Sequence, residues 1–171
     1  FPADPTQDYL VLEMGTNHHG EIKILSDMAL PDIAVITNCS AEHLEGLDDL
    51  AGVRREEASI ISGLNKKGLL VVNGDADELL TLANAYPGKR ISIGFKSTND
   101  LSATEVRCDE KGVSFLLNNN PRRRIFIPIL GKHTATNALA AIAVARRMGL
   151  NEEMVIENLS QANGPEMRLQ L

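Results

Sequence analysis

Ten residues of types suited to chemistry follow directly on apolar runs of the sequence: Glu13, Asn17, His18, His19, Asn38, Glu42, His43, Glu45, Asn73 and Asp75. Carboxylates and imidazoles gathered in one place suit a divalent cation such as Mg2+ or Mn2+, which takes oxygen and imidazole donors. Any one of these polar residues is also read simply as part of a solvated loop. Glu13 is less easily read that way, because a carboxylate closing the apolar run YLVLE needs a partner or a metal. Glu57 gives a separate signal. At about 100° per residue, Leu50, Val53, Ile60, Ile61 and Leu64 form one helical stripe; Glu57 falls inside it and Glu56 outside. A carboxylate aimed at an interior is hydrogen-bonded, neutralised or bound to metal, unless that end of the helix reaches water.

Other features carry less. The tandem His18-His19 has metal-binding donors, but adjacent loop histidines are more often solvated. The run Arg122-Arg123-Arg124 has the charge to meet phosphate and the setting of a solvated hairpin tip. Cys39 borders the polar cluster with no base at nucleophile spacing and reads as inert. Gly131-Lys132-His133 resembles the end of a phosphate loop but lacks the upstream glycine. No G-x-x-x-x-G-K-[ST] and no G-x-G-x-x-G occurs in the chain, so its own residues do not build the usual phosphate cradle.

The elements that must position these residues read as an α/β fold. Residues 9–13, 33–37, 69–73 and 90–94 read as strands, the first three nearly continuous apolar runs of the kind buried on both faces of a parallel sheet. Helical patterns lie between them. Residues 21–29 place Ile22, Leu25 and Ala29 on one face and stop before Pro31. Asp48 or Asp49 caps a helix to about Leu64, and residues 77–85 form a third helix. Strand–helix–strand repetition implies right-handed crossovers and a mostly parallel sheet flanked by helices, with ligands beyond the carboxyl ends of its strands. After Gly94, residues 101–107, 112–117 and 124–129 read as a small antiparallel meander. An alanine-rich helix over 134–148 ends at Gly149, and Asn151 caps one more.

Composition sets the limits. The chain has 171 residues, 43% of them apolar, which fits a single soluble domain. Seventeen basic against 23 acidic residues leave a net charge of −6, which argues against a nucleic-acid partner. No apolar run approaches the length of about 18 needed to span a bilayer, so no membrane partner is expected. Two cysteines 69 positions apart form neither a disulfide framework nor a zinc pattern, as expected of a cytoplasmic protein. The chain opens on Phe1, and the expectation is a piece of a longer polypeptide.

Four motifs together carry a resemblance: EMGTNHHGEI (residues 13–22), ITNCSAEHLEGL (36–47), GKHTATNALAA (131–141) and EMRLQL (166–171). In order and spacing they resemble the Mur ligases, over essentially the whole chain. The NHxGEI motif resembles most the members that add D-Ala-D-Ala to UDP-MurNAc-tripeptide in peptidoglycan synthesis; the other motifs are shared with folylpolyglutamate and cyanophycin synthetases. The resemblance implies a P-loop NTPase-like central domain over residues 1–165, with residues 166–171 starting a linker to a C-terminal domain. It implies that ATP activates a carboxylate as an acyl phosphate, which an amine then attacks. It makes Glu13 and His43 magnesium ligands, with Glu57 standing where the family has a carbamylated lysine. It sets Asn137, with His133 beside it, near the adenine, and Arg168 on the nucleotide phosphates. Asn17 and His18, within the member-specific motif, are the expected substrate contacts. Thr134 stands where the family usually has asparagine. The family's ATP-binding loop would precede Phe1 and its closing domain would follow Arg168, so the chain alone is expected to be inactive. The alternatives are a ligase for folate or cyanophycin precursors, or a metal- or nucleotide-binding module without catalysis.

Overall fold

The computed structural model describes residues 6–39 and 44–164, with the backbone alone described for residues 44 and 45. Nearly continuous Val, Ile and Leu runs form β1 (Ile33–Ile36) and β2 (Leu69–Asn73), and the more polar segment Lys89–Gly94 forms β3. They pair in parallel, with Ile33 opposite Leu69 and Leu69 opposite Lys89. Leu69, Leu70 and Val71 are fully buried, as both faces of β2 are covered. The crossover from β1 to β2 carries α2 (Leu44–Leu47), α3 (Leu50–Ala58) and a 3-10 turn over Ser59–Ser62. The crossover from β2 to β3 carries α4 (Asp77–Ala83), and α1 (Glu21–Ala29) precedes β1.

The expected meander is β4 (Leu101–Asp109), β5 (Gly112–Leu117) and β6 (Asn120–Ile127). It is fused into the same sheet, because Ile93 and Gly94 of β3 pair in parallel with Leu101 and Ser102. The sheet therefore runs β1-β2-β3-β4-β5-β6, parallel to β4 and antiparallel beyond it. The long alanine-rich helix α5 (His133–Arg147) lies on one face. Its Ala135, Leu139 and Ile142 share a core with Val71, Ile93, Phe115 and Ile125. On the other face Leu79, Ala83 and Tyr86 pack on Ala34, Leu70 and Val72. Helix α6 (Glu152–Ser160) packs on α5 through Ile156. The two expected caps are present: Asp49 accepts from Gly52 N at 2.6 Å and Asn151 from Met154 N at 3.1 Å. No helix among the described residues is long and apolar enough to cross a membrane.

Three local expectations are corrected. Residues 9–13 are not a strand: an apolar run becomes one only through a ladder partner, and no described strand pairs with it. Val11 is instead 93% exposed. On α1 the buried pair is Ile22 and Ser26, one turn apart, while Leu25 faces outward. On α3 the buried carboxylate is Glu56, 4% exposed, and Glu57 is only half-buried. The stripe read from the sequence ran through Ile60 and Ile61, but the α-helix stops at Ala58 and tightens into the 3-10 turn. The phase taken from those residues therefore does not hold back to position 57. Within α3 itself, Gly52, Val53 and Glu56 follow the helical repeat and face inward.

Candidate functional site

The carboxyl ends of β1, β2 and β3 are laced together by side-chain bonds. Asn73, closing β2, donates from Nδ2 to Thr37 O just past β1 at 2.8 Å, and its Oδ1 accepts from Asp75 N at 2.9 Å. Asp75 in turn accepts from Phe95 N at 2.7 Å, Lys96 N at 2.9 Å and Asn99 Nδ2 at 2.9 Å. Burial pushes the Asp75 carboxyl upward, but the Lys96 and Phe95 amides and the Asn99 carboxamide outweigh it and hold the group below its ordinary value. Above this edge sits the start of α5. Lys132 Nζ lies 4.2 Å from the centre of the Phe95 ring, a cation–π contact joining the end of β3 to that helix. Gly131 has φ +94, a left-handed conformation that favours glycine at the turn into α5.

A second cluster surrounds the loop from Thr16 to Gly20. The Thr16 hydroxyl donates to His18 O at 2.9 Å. Glu21 Oε2 accepts from Asn17 N at 2.7 Å and His18 N at 3.0 Å. Those two amides hold the Glu21 carboxyl down at about 2. Glu56 reaches the same loop from α3, accepting from Gly20 N at 2.7 Å and Ile22 N at 2.8 Å. His19 Nε2 lies 3.1 Å from Asp48 Oδ2, and Gly46 approaches so closely that a Cβ would stand 1.9 Å from Asn17 O. The loop is thus held by its own helix, by α3 and by the segment around α2.

The expected site residues divide accordingly. Asn17 and His18 are exposed on the braced loop. His133 and Asn137 are exposed on the first turns of α5, next to the Lys132–Phe95 contact. Glu13 is exposed in the extended segment before the loop. Glu57 is half-buried, and its charge bears on Cys39 at the end of β1. Burial first and Glu57 second push the Cys39 thiol up to about 12, against the opposing charge of Arg54. That agrees with an inert cysteine. His43 and Arg168 lie outside the described residues. Among the described residues no group of three or more His, Cys, Asp or Glu side chains is placed to hold a metal ion.

Four contributors escaped the sequence reading. Glu56 was legible from the spacing of α3 taken alone. Phe95 was legible as the residue leaving β3. The Glu21 brace spans only three and four residues and was legible locally, whereas the Lys132 contact depends on tertiary placement and had no local signal. The expected solvated tip at Arg122–Arg124 is instead part of β6, where Arg124 Nη2 meets Glu105 Oε2 at 2.6 Å and Arg123 lies 4.0 Å from Glu153. Arg123 and Arg124 thus have ion-pair partners on opposite faces of β6, while Arg122 is exposed.

The sequence from residue 2 to residue 145 matches the model of the Mur ligase middle domain. The chain belongs to that family. Over 161 residues this Mur ligase middle domain is 38% identical to UDP-N-acetylmuramoyl-tripeptide–D-alanyl-D-alanine ligase of Bacillus subtilis, an alignment covering 94% of the chain and 34% of the relative. Among solved structures it is similar to MurF from Acinetobacter baumannii, with a TM-score of 0.82 and 28% identity, over 91% of this chain and 34% of that one. MurF ligase from Thermotoga maritima in complex with ADP shares the fold, with a TM-score of 0.76 at 22% identity, over 92% of this chain and 38% of that one. The chain spans about a third of the length of the curated relatives it matches.

Proposed function

We propose that this Mur ligase middle domain is the central, nucleotide-handling part of an ATP-dependent amide ligase that joins D-Ala-D-Ala to UDP-MurNAc-tripeptide in the cytoplasm. The observation that carries the proposal is the 38% identity to the Bacillus subtilis ligase over 94% of the chain. It takes residues 1–165 as the domain and 166–171 as the start of a linker. The chemistry follows from the substrates. A terminal carboxylate oxygen of the tripeptide attacks the γ-phosphorus of ATP, and ADP leaves, giving an acyl phosphate. The amine of D-Ala-D-Ala then attacks the acyl carbon. The tetrahedral intermediate expels inorganic phosphate, the nitrogen loses a proton, and an amide remains.

Residue roles follow the family resemblance. Glu13, His43 and Glu57 are the donors proposed for Mg2+, a hard-oxygen and imidazole set. The Glu57 charge bears on Cys39, three residues past β1, and this supports the reading. These residues would hold Mg2+, which would supply charge compensation for the transferred phosphoryl group. His133 and Asn137 are proposed for the adenine, on the exposed first turns of α5, and Arg168 for the phosphates. Asn17 and His18 are proposed for the substrate, presented on a loop whose amides are held by the Glu21 and Glu56 carboxylates.

The test is ADP release by the full-length protein carrying this sequence, supplied with ATP, Mg2+ and UDP-MurNAc-tripeptide. Release should depend on D-Ala-D-Ala and yield the pentapeptide product. Turnover with a folate or cyanophycin precursor in its place, or ADP release that ignores the dipeptide, would overturn the reading. The 171-residue chain by itself should not ligate, since it has no phosphate-loop motif.

A further inference from the structure

Helix α1 lacks a local cap. Its N-cap residue is Gly20, at φ 88, with no side chain to receive the first amides of the helix. Two amides at this end, those of Gly20 and Ile22, are nevertheless satisfied from elsewhere. Glu56, 36 residues away on α3, accepts from Gly20 N at 2.7 Å and from Ile22 N at 2.8 Å, one bond to each carboxylate oxygen. Its side chain is 4% exposed, and a carboxylate so buried is retained only when its oxygens are occupied. The negative charge also faces the positive end of α1. Thr16 Oγ1 lies 3.5 Å from the same carboxylate, so both ends of the 16–20 loop converge on it. Glu21 ties Asn17 N and His18 N from the other side.

We propose that Glu56 is a positioning residue: by capping α1 from α3 it fixes the loop that presents Asn17 and His18 to substrate. The inference rests on the ligase reading for the role of Asn17 and His18, and on hydrogen bonds alone for the loop itself. Removing the carboxylate leaves two amides without acceptors at the base of the loop, and the loop loses the contact that orders it. The loss should then act through Asn17 and not through general stability.

Two measurements on the full-length protein decide it. In Glu56→Ala, hydrogen exchange at Gly20 and Ile22 should be faster by about tenfold or more, well below the melting temperature. Under the same conditions kcat/KM for ligation should fall by about tenfold, and adding Glu56→Ala to Asn17→Ala should cost less than about twofold further. Glu56→Gln keeps one acceptor oxygen, so both readouts should take intermediate values; this variant carries the test if Glu56→Ala does not fold. Unchanged exchange, or losses at Glu56 and Asn17 that simply multiply, would overturn the proposal. A wild-type protein that does not ligate would sink the ligase reading instead, and exchange at Gly20 and Ile22 would then decide the role of Glu56 by itself.

Discussion

The carboxylate of Asp75, two residues beyond β2, receives the amide of Phe95, the residue that leaves β3, at 2.7 Å. One side chain thereby locks the carboxyl ends of two parallel strands into a common edge. The Phe95 ring it sets in place is the one Lys132 covers from the start of α5. Sheet edge and helix start, which come from residues far apart in sequence, are joined through this pair.

Asp75→Asn should therefore destabilise the domain. It removes the charge that three donors share, and hydrogen bonds to charged groups are each worth about 1.5–3 kcal/mol. Because Asp75 is partly exposed, the expected net loss is about 1–2 kcal/mol at pH 7, read as a lower urea midpoint at unchanged slope. The pH dependence has a definite sign. A carboxyl held below its ordinary value of 3.8 contributes stability that is fully present above that value and fades as pH falls through the lower folded one. The gap between wild type and Asp75→Asn should thus be constant from pH 7 to about 5 and close on further acidification. A gap that widens toward acid would contradict the assignment.

Leu30→Gly should stabilise the protein. Leu30 ends α1 at φ 47 and ψ 56, a left-handed conformation that costs a residue with a Cβ about 1 kcal/mol. Its side chain is 67% exposed, so little packing is lost with it. The expected gain is about 0.5–1 kcal/mol, reduced by the greater freedom of glycine in the unfolded chain. Thermal unfolding of the two proteins checks it, and a melting temperature that drops would show that the Leu30 side chain packs usefully.

Gly63→Ala should do the opposite. Helix α1 crosses the end of the 3-10 turn so closely that Ser26 Oγ donates to Ile60 O at 2.5 Å. A Cβ on Gly63 would stand 2.0 Å from Ser26 O, a backbone atom that moves only with the helix. Overpacking of this kind costs about 1–3 kcal/mol. Because the displaced element is α1, hydrogen exchange over residues 20–29 should rise more than over β2. Equal changes in both would mean that the strain spreads through the whole domain.

The sheet was legible because burial on both faces leaves a local mark, the continuous apolar runs IAVIT and LLVVN, while RISIG places Ile91 and Ile93 at alternate positions. YLVLE carries the same mark at residues 9–13 and is no strand, since a run records hydrophobicity but not a ladder partner. Helix caps at Asp49 and Asn151 were legible because the bond spans three residues. The bonds at the site span far more, from Asp75 to Phe95 and from Glu56 to Gly20, and nothing near either residue announces them. Glu57 was misplaced for a related reason. Helical phase was carried across Ala58, where the chain tightens, and one change of pitch was enough to exchange neighbouring carboxylates.

Cys39 offers the sharpest check on where Glu57 sits. Its thiol is pushed up to about 12, first by burial and then by the Glu57 carboxylate, with Arg54 opposing. Thiolate is the reactive form, so at pH 8 Cys39 is held mostly as the unreactive thiol. Cys108, by contrast, is exposed. Iodoacetamide at pH 8 should therefore add once per native chain, at Cys108, and twice after denaturation. Removing the charge by Glu57→Gln leaves burial in place but takes away one of the two causes, so Cys39 should alkylate faster at every pH while remaining slower than Cys108. Rapid labelling of native Cys39 would mean that the thiol is open to solvent. An unchanged rate in Glu57→Gln would mean that the carboxylate points away from the end of β1, and would remove Glu57 from the proposed metal donors.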